Sequence, residues 1–405
     1  MKIRSITYFL DPQWPLNEAA LQQAGAFIAA ARPAFEAAGY EVQTARLATV
    51  PFPQLVPSLQ ADEVIALAQA IEAAAAQHGY EYIALGPALP EHPASYALIP
   101  AVLAATENIF FTGVMASSQG GLSLPAVRAC AQVMHAAAPL VPNGFANLRF
   151  AALANVPPGA PFFPAAYHRG GPPRFAIATE AADLAVTAFS QAGSLNAGIQ
   201  DLIAAVEKHA AALSQAAGSL AAQFGIPFGG IDFSLAPFPE QASSLGAALE
   251  NIGVPAAGMH GSLAAVAILA DALDKADFPR TGFSGLLLPQ LEDAVLAVRA
   301  AEGSLTLKDL LMYSAVCGTG LDTIPLPGDA SPEQLAAVLL DLAALAQRLE
   351  KPLTARLMPI PGKAAGDDTQ FDFPFFANSK VLALPAAPLT NHFAGDETFS
   401  LNWRK

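Results

Sequence analysis

The sequence predicts an α/β fold. Short apolar runs of strand character alternate with amphipathic helical runs along almost the whole chain. Ten strand-like segments can be placed between residues 2 and 384, most of them followed by a helical period. Apolar residues make up 53% and charged residues only 13% of the 405 residues. That is enough apolar material to cover both faces of a large sheet, and too little charge for a disordered chain.

Residues 2–10 alternate as a strand. Asn17 then caps a helical run to residue 38, with Pro33 a kink point and Gly39 a natural stop. Residues 41–47 read as a strand, 62–78 as a helix closed by Gly79, and 82–85 as a short apolar strand. A strand at 108–115 and a helix at 124–138 follow. Strands at 149–155 and 174–179 lead to a long helix, 196–224, which stops at Gly225 and enters a strand at 228–235. Helices are expected at 241–251, 262–272 and 332–349, and strands at 321–324, 353–358 and 380–384. The alternation suits a layered or a barrel architecture, read as a single body over residues 1–405. Glycines and prolines are most concentrated at 154–173, but Phe162, Phe163 and Tyr167 are too apolar for a solvated tether. An ordered loop is expected there, with Tyr167 and His168 able to enter a site.

Charge narrows the partners. Twenty basic residues against 34 acidic ones give a net charge of −14, and the basic residues form no cluster. A phosphate backbone or an anionic membrane surface needs such a cluster, so nucleic acid and membrane are not expected partners. Mean hydropathy is +0.39, yet apolar windows such as 263–273 and 335–345 are interrupted by Asp271 and Asp341. They fall short of the ~20 apolar residues that span a bilayer. The opening MKIRSITYFLDP reaches Asp11 and Pro12 before a signal-length apolar region develops. A cytoplasmic location is the expectation, with a small-molecule substrate as partner; a homo-oligomer is left open. Cys130 and Cys317 lie 187 positions apart with no Cys/His cluster, which argues for reduced, buried thiols and against a zinc ribbon.

Four segments are distinctive together: FGGIDFSLAPFPE (228–240), GMHGSLAAVAIL (258–269), VCGTGLDTIPLPGD (316–329) and KPLTARLMPIPGKAAGDDTQFDFPFFANSKV (351–381). With IRSIT (3–7), ATEN (105–108), ASSQGGLSLPAV (116–127) and AYHRG (166–170) upstream, the chain resembles the family known as domain of unknown function 711. Members of that family often carry the label "PFL family protein". The resemblance implies a barrel like that of pyruvate formate-lyase and other glycyl-radical enzymes, with about ten strands inside a layer of helices. It does not imply their chemistry. The tail HFAGDETFSLNWRK has no glycyl-radical loop, and Cys317 stands alone in C-G-T-G.

The candidate catalytic residues are Asp232, His260, Asp322, His168 and Glu107. Asp232 ends an apolar strand, where α/β proteins collect functional groups, although aspartate also caps turns there. His260 lies between Gly258 and Gly261 at a helix amino terminus, suited to an anion or to a tight turn. Asp322 falls inside an apolar strand, where a carboxylate needs a partner. His168 sits beside Arg169 and two glycines, and Glu107 precedes a strand. Arg356 and Lys363 are candidate anion binders unless Asp367, Asp368 and Asp372 neutralise them. The Ser117–Ser118 loop is a candidate backbone cradle without the Walker lysine.

Asp232, His260, Asp322 and His168 are expected to face one cavity, with Glu107 and Lys363 at its rim. Such a site points to an enzyme using general acid–base, hydrolase-type chemistry on a small polar substrate, glycosidic if two carboxylates pair. No cofactor is expected, although a metal-assisted version follows if His168, His260 and a carboxylate converge on a divalent metal. A ligand-binding or regulatory protein without turnover would carry the same pocket without a working acid–base pair.

Overall fold

A computed structural model describes residues 1–402. Among them one sheet holds eleven strands: β1 (Lys2–Leu10), β2 (Val42–Thr49), β3 (Tyr82–Ala88), β4 (Ile109–Ser117), β5 (Gly121–Ser123), β6 (Phe150–Ala154), β7 (Arg174–Glu180), β8 (Phe228–Asp232), β9 (Gly320–Pro327), β10 (Leu353–Ile360) and β11 (Thr398–Phe399). The hydrogen-bonded path runs β8-β7-β1-β2-β3-β4-β6-β10-β9, and β5 bridges β4 to β11 beside it. Strands β1, β2, β3, β4 and β6 are parallel to one another. β7 lies antiparallel to β1 and β10 antiparallel to β6, so β7 with β8 and β9 with β10 all run the other way. The sheet is mixed, with parallel pairs in the majority.

Period-two alternation divides each strand between two buried faces. Ile6, Tyr8 and Leu10 of β1, with Ala45 and Leu47 of β2 and Ile83 and Leu85 of β3, join the main core. Helices Glu18–Ala37 and Ala61–Gln77 supply Phe27, Val64, Leu67 and Ile71 to that core. The other face carries Phe9, Ala48, Ala84, Phe110 and Ala176, packed on Phe163 and Ala166. Those last two come from the Pro/Gly-rich run after β6, which is an ordered loop: Thr7 Oγ1 donates to Pro161 O at 2.8 Å. The small Ala residues of this face leave room for the loop.

The helical signals at 17–39 and 196–225 correspond to real caps. Asn17 accepts from Ala20 N, and Gly225 ends helix Leu195–Phe224 at φ +66°, a left-handed position that suits glycine. Helix Ala94–Ala105 was hidden from sequence reading by Pro93 and Pro100, and Ala182–Gln191, Ala294–Glu302 and Leu307–Tyr313 were also missed. The expected strand at 380–384 is corrected. Lys380 makes one antiparallel bridge with Asp368, while Val381 and Leu382 bury their side chains outside the ladder.

A different segment, residues 279–288, runs beside β8. It makes parallel bridges to β8 and its extension, Ile231 with Arg280 and Leu235 with Leu286. On its other side Thr319 Oγ1 donates to Leu286 O, just before β9. A Cβ on Gly285 would come within 2.8 Å of Gly318 N, so the close approach there requires glycine. The main core spans Ile3 to Leu382 without interruption between sequence halves. Among the described residues no helix is long and apolar enough to cross a membrane. Cys130 and Cys317 are both buried and unbridged.

Candidate functional site

Three arginines project from strand interiors into one cavity of about 60 Å³. Arg4 reaches it because the β1–β7 register slips between Ile3 and Ser5, a bulge that lets Arg4 line the cavity while Ser5 Oγ meets Pro161 O on the loop face. Arg46 follows from strict alternation in β2, where Thr44, Arg46 and Ala48 share the inward face. Arg356 enters from β10, whose pairing of Ala355 with Ala152 brings it toward the start of β6.

Two of the arginines are saturated by carboxylates. Arg4 binds Glu180 at 2.9 Å and Glu292 at 2.6 Å. Arg356 binds Glu292 at 3.0 Å and Asp322 at 2.6 Å, and donates to Leu148 O. Gln43 Nε2 adds a bond to Glu180 at 2.8 Å. Burial works against the charge of Arg356, but the carboxylates of Asp322 and Glu292 overcome it and hold the guanidinium charged above its ordinary range. Burial pushes the Glu292 carboxyl up, with Arg4 and Arg356 pulling it back. Burial likewise raises Glu180 against the opposing charge of Arg4. Asp322 gives only Oδ1 to this network; its Oδ2 has no hydrogen-bond partner among the described residues.

Arg46 is different. Its Nε donates to Thr44 Oγ1 at 2.9 Å, but it has no ion-pair partner among the described residues, although it is only 7% exposed. Its guanidinium lies 5.1 Å from the Phe163 ring centre and 5.9 Å from that of Tyr82. Burial and the neighbouring charge of Arg4 lower its pKa to about 9. Aromatic side chains close the mouth. Arg4 stacks 4.6 Å over Phe375, and Phe373 packs edge-on to Phe145 at 5.1 Å.

The expected four-residue convergence does not occur. Of Asp232, His260, Asp322 and His168, only Asp322 lines the cavity. Asp232 is fully buried, and its carboxylate is consumed by the neighbouring segment: Oδ1 accepts from Ser234 Oγ at 2.6 Å and Ser284 N at 2.8 Å, and Oδ2 from Phe283 N at 2.7 Å. A Cβ on Gly282 would sit 2.1 Å from Oδ2, so Gly282 is what lets the segment come this close. Burial, opposed by these donors, pushes the Asp232 carboxyl up to about 6. His168 is buried at the far end of the strands, where its N–H donates to Thr49 O, the last residue of β2. Its Nε2 is 3.4 Å from Gly171 O while Nδ1 is unpartnered, and burial lowers its pKa. His260 is exposed beside Gly261, the N-cap of helix Ser262–Lys275. Substituting alanine for His260 is therefore expected to shift the melting temperature by about 2 °C or less and to leave ligand binding unchanged, read by thermal denaturation and titration.

The remaining candidates divide. Arg356 belongs to the cavity, though its partners are Asp322 and Glu292 rather than the aspartates near 367–372. Glu107 is exposed and does not line the cavity; it lines a neighbouring depression that shares Tyr82, Phe110, Leu148 and Phe373 with it. Lys363 is held in the turn after β10, its N–H donating to Ile360 O, and does not line the cavity. Ser117 Oγ caps its own turn by accepting from Gly120 N, and Ser118 is exposed in the same β4–β5 turn; neither lines the cavity. Nor does any group of three or more His, Cys, Asp or Glu side chains among the described residues form a metal-binding cluster; His168 and His260 are apart.

Sequence reading missed Arg4, Arg46, Glu180 and Glu292. The available signal was a charged residue at the inward position of a strand buried on both faces, as in Thr44-Ala45-Arg46-Leu47-Ala48. The expectation that functional groups gather at carboxyl ends of strands also fails for half the sheet. Arg4, Tyr82 and Phe110 lie near the amino ends of β1, β3 and β4, Arg46 lies in the middle of β2, and the antiparallel β7 brings its carboxyl end, Glu180, to Arg4.

Fold and cavity together define an α/β protein with an arginine–carboxylate site buried against its mixed sheet. A family model described as "Uncharacterised ACR (DUF711)" matches residues 1–378, and the chain belongs to that family. It is 34% identical over 355 residues to a UPF0210 protein of Pyrobaculum islandicum, covering 83% of this chain and 78% of that protein. Similarity to a UPF0210 protein of Pyrobaculum aerophilum is 35% over 356 residues, with the same coverage. A UPF0210 protein of Neisseria gonorrhoeae is 28% identical over 347 residues, covering 82% and 77%.

Proposed function

We propose that this protein is an enzyme performing acid–base chemistry on a small polar substrate held in the arginine–carboxylate cavity. The observation that carries the reading is Asp322. Asp322 lines the cavity; Arg356 fixes one carboxylate oxygen at 2.6 Å, and the other accepts no hydrogen bond among the described residues. An oriented carboxylate with one open oxygen can take a proton from a substrate and return it, while Arg356 acts as its positioning residue. Glu292 is less suited to the role, because Arg4 and Arg356 hold both of its oxygens. Glycoside hydrolysis calls for two working carboxylates. Of the two carboxylates that line the cavity, only Asp322 has an open oxygen among the described residues, which favours transfer of one proton at a carbon or hydroxyl over the hydrolase version.

A closed barrel resembling that of pyruvate formate-lyase goes with this reading. Residues 279–288 run parallel to β8 and touch the chain before β9, so they stand where a fifth strand would complete β7, β8, β9 and β10 against the five parallel strands β1–β4 and β6. The cavity is then the barrel interior, and residues 1–402 form one body.

Two measurements test the function. Proton exchange from small hydroxy, keto and amino compounds in deuterated water, followed by proton NMR, detects abstraction without requiring net turnover. A parallel panel of chromogenic glycosides, esters and amides detects hydrolysis. Exchange lost by about 10²-fold or more in Asp322→Asn is the expected result. Exchange that survives in Asp322→Asn removes the acid–base role, and silence across both panels turns the reading to a non-catalytic ligand-binding protein.

A further inference from the structure

Arg46 is an unused cation in a built cavity. The other two inward arginines each meet two carboxylates, whereas both terminal nitrogens of Arg46 lack an acceptor among the described residues. A buried guanidinium without a partner is costly, and proteins rarely keep one unless something supplies the missing anion. Its geometry is also prepared. The Nε bond to Thr44 Oγ1 is backed by Thr44 Oγ1 donating to Arg4 O at 2.7 Å, and Phe163 and Tyr82 lie near the guanidinium. A fork held in this way presents its terminal N–H groups to a planar anion, and two parallel bonds to a carboxylate are the matching arrangement.

From this we infer that Arg46 anchors the carboxylate of a small organic monocarboxylic acid. The inference rests on the cavity being the substrate site, and it names the substrate class. Charge sets the limit on the anion. Arg4, Arg46 and Arg356 balance Glu180, Glu292 and Asp322, so the cluster sums to zero and one added negative charge is the least costly load. A phosphate dianion would bring two charges close to three carboxylates. The remaining walls, Phe110, Phe163, Leu148 and Leu287 among them, suit the carbon end of such an acid. The open Oδ2 of Asp322 is available to a hydroxyl or ammonium donor on the same molecule.

The test is equilibrium binding by calorimetry, which does not depend on catalysis. The probes are lactate, propionate and benzoate, their uncharged amides, and inorganic phosphate, each titrated into the wild-type chain, Arg46→Met, Arg46→Lys and the surface control Arg128→Met. At least one carboxylate is expected to bind the wild type and the control alike. The same acid should bind Arg46→Met about tenfold to a hundredfold more weakly, and Arg46→Lys in between, with its amide failing on all of them. Because Arg46 has no ion-pair partner among the described residues, the ligand-free Arg46→Met chain should melt no lower than wild type, which also certifies its fold. If Arg46→Met does not fold, Arg46→Lys carries the comparison. An amide binding as well as its acid, unchanged affinity in Arg46→Met, tighter binding of phosphate than of any acid, or no binding by any acid overturns the anchor. Loss of carboxylate binding in Arg46→Met together with proton exchange indifferent to Asp322→Asn would keep the anchor and remove the acid–base reading. The opposite pair of results would remove the anchor alone.

Discussion

Replacing Arg356 with methionine should destabilise the fold by about 3–5 kcal/mol, the range for stripping one partner from a buried ion pair. Arg356 is 7% exposed and joins two carboxylates that come from different parts of the chain, Asp322 on β9 and Glu292 just after the 279–288 segment. Without it Glu292 keeps Arg4, but Asp322 has no other ion-pair partner among the described residues. The cost therefore arises mainly from the stranded aspartate. Urea denaturation of Arg356→Met, Asp322→Leu and the double variant separates this from simple loss of packing. The double variant is expected to be more stable than Arg356→Met, with a coupling of at least about 1 kcal/mol. Additive single effects would mean that the pair is only incidental to the stability of the sheet.

A second large effect is expected at Asp232. Alanine there removes the acceptor for Ser234 Oγ, Phe283 N and Ser284 N, all inside the protein, and frees the segment beside β8. Two buried donors and one half-buried donor left without acceptors put the cost at about 3–5 kcal/mol near pH 4. The penalty should shrink as pH rises. Burial raises the carboxyl from 3.8 to about 6 in the folded chain. Below about 4 both folded and unfolded states hold the proton, and this part of the stability is fully present. Between those values the unfolded chain releases the proton while the folded chain keeps it, so wild-type stability falls and is lost as pH passes 6. The drop is about 3 kcal/mol at 1.36 kcal/mol per pKa unit, and Asp232→Ala should lack it. Chemical denaturation of both proteins at several pH values between 4 and 8 measures the difference. A penalty independent of pH would contradict the raised carboxyl. The sequence had suggested a catalytic group or a turn cap at the end of a strand, and three donors converging on one carboxylate make Asp232 a structural one.

How much was readable differs between local and distant features. The helix over 332–349 was legible to the residue because Ser331 and Gln334 form a capping box around Pro332 and the apolar stripe is regular. The helix at Ala94–Ala105 was not, since prolines at 93 and 100 mimic a loop whose helical state is set by packing on β4 and the helix that follows it. Residues 279–288 gave no strand signal, because Pro279, Gly282 and Gly285 interrupt the run. Each of those glycines is explained by a contact, Gly282 with Asp232 and Gly285 with Gly318. Among the site candidates, Asp322 was legible as a charge inside an apolar strand and Arg356 as a basic residue in an acidic chain, whereas His260 and Ser117, each near glycines, proved to be turn residues.

By itself the sequence determined the α/β class, the order of nine of the strands along the chain, and the likeness to its family over nearly the whole chain, because alternation, caps and composition act over a few residues. Only the tertiary structure decided which charges meet. Arg4, Arg46, Glu180, Glu292, Asp322 and Arg356 are brought together from β1, β2, β7, β9, β10 and the chain beyond residue 288. Strand direction and the bulge in β1 made that choice. Reversing β7 against β1 turns a carboxyl end toward amino ends, and a one-residue slip in register turns a side chain from one face to the other. Neither is written in the residues that take part. A pocket lined from strands that are distant in sequence follows from pairing, and pairing is a property of the assembled sheet.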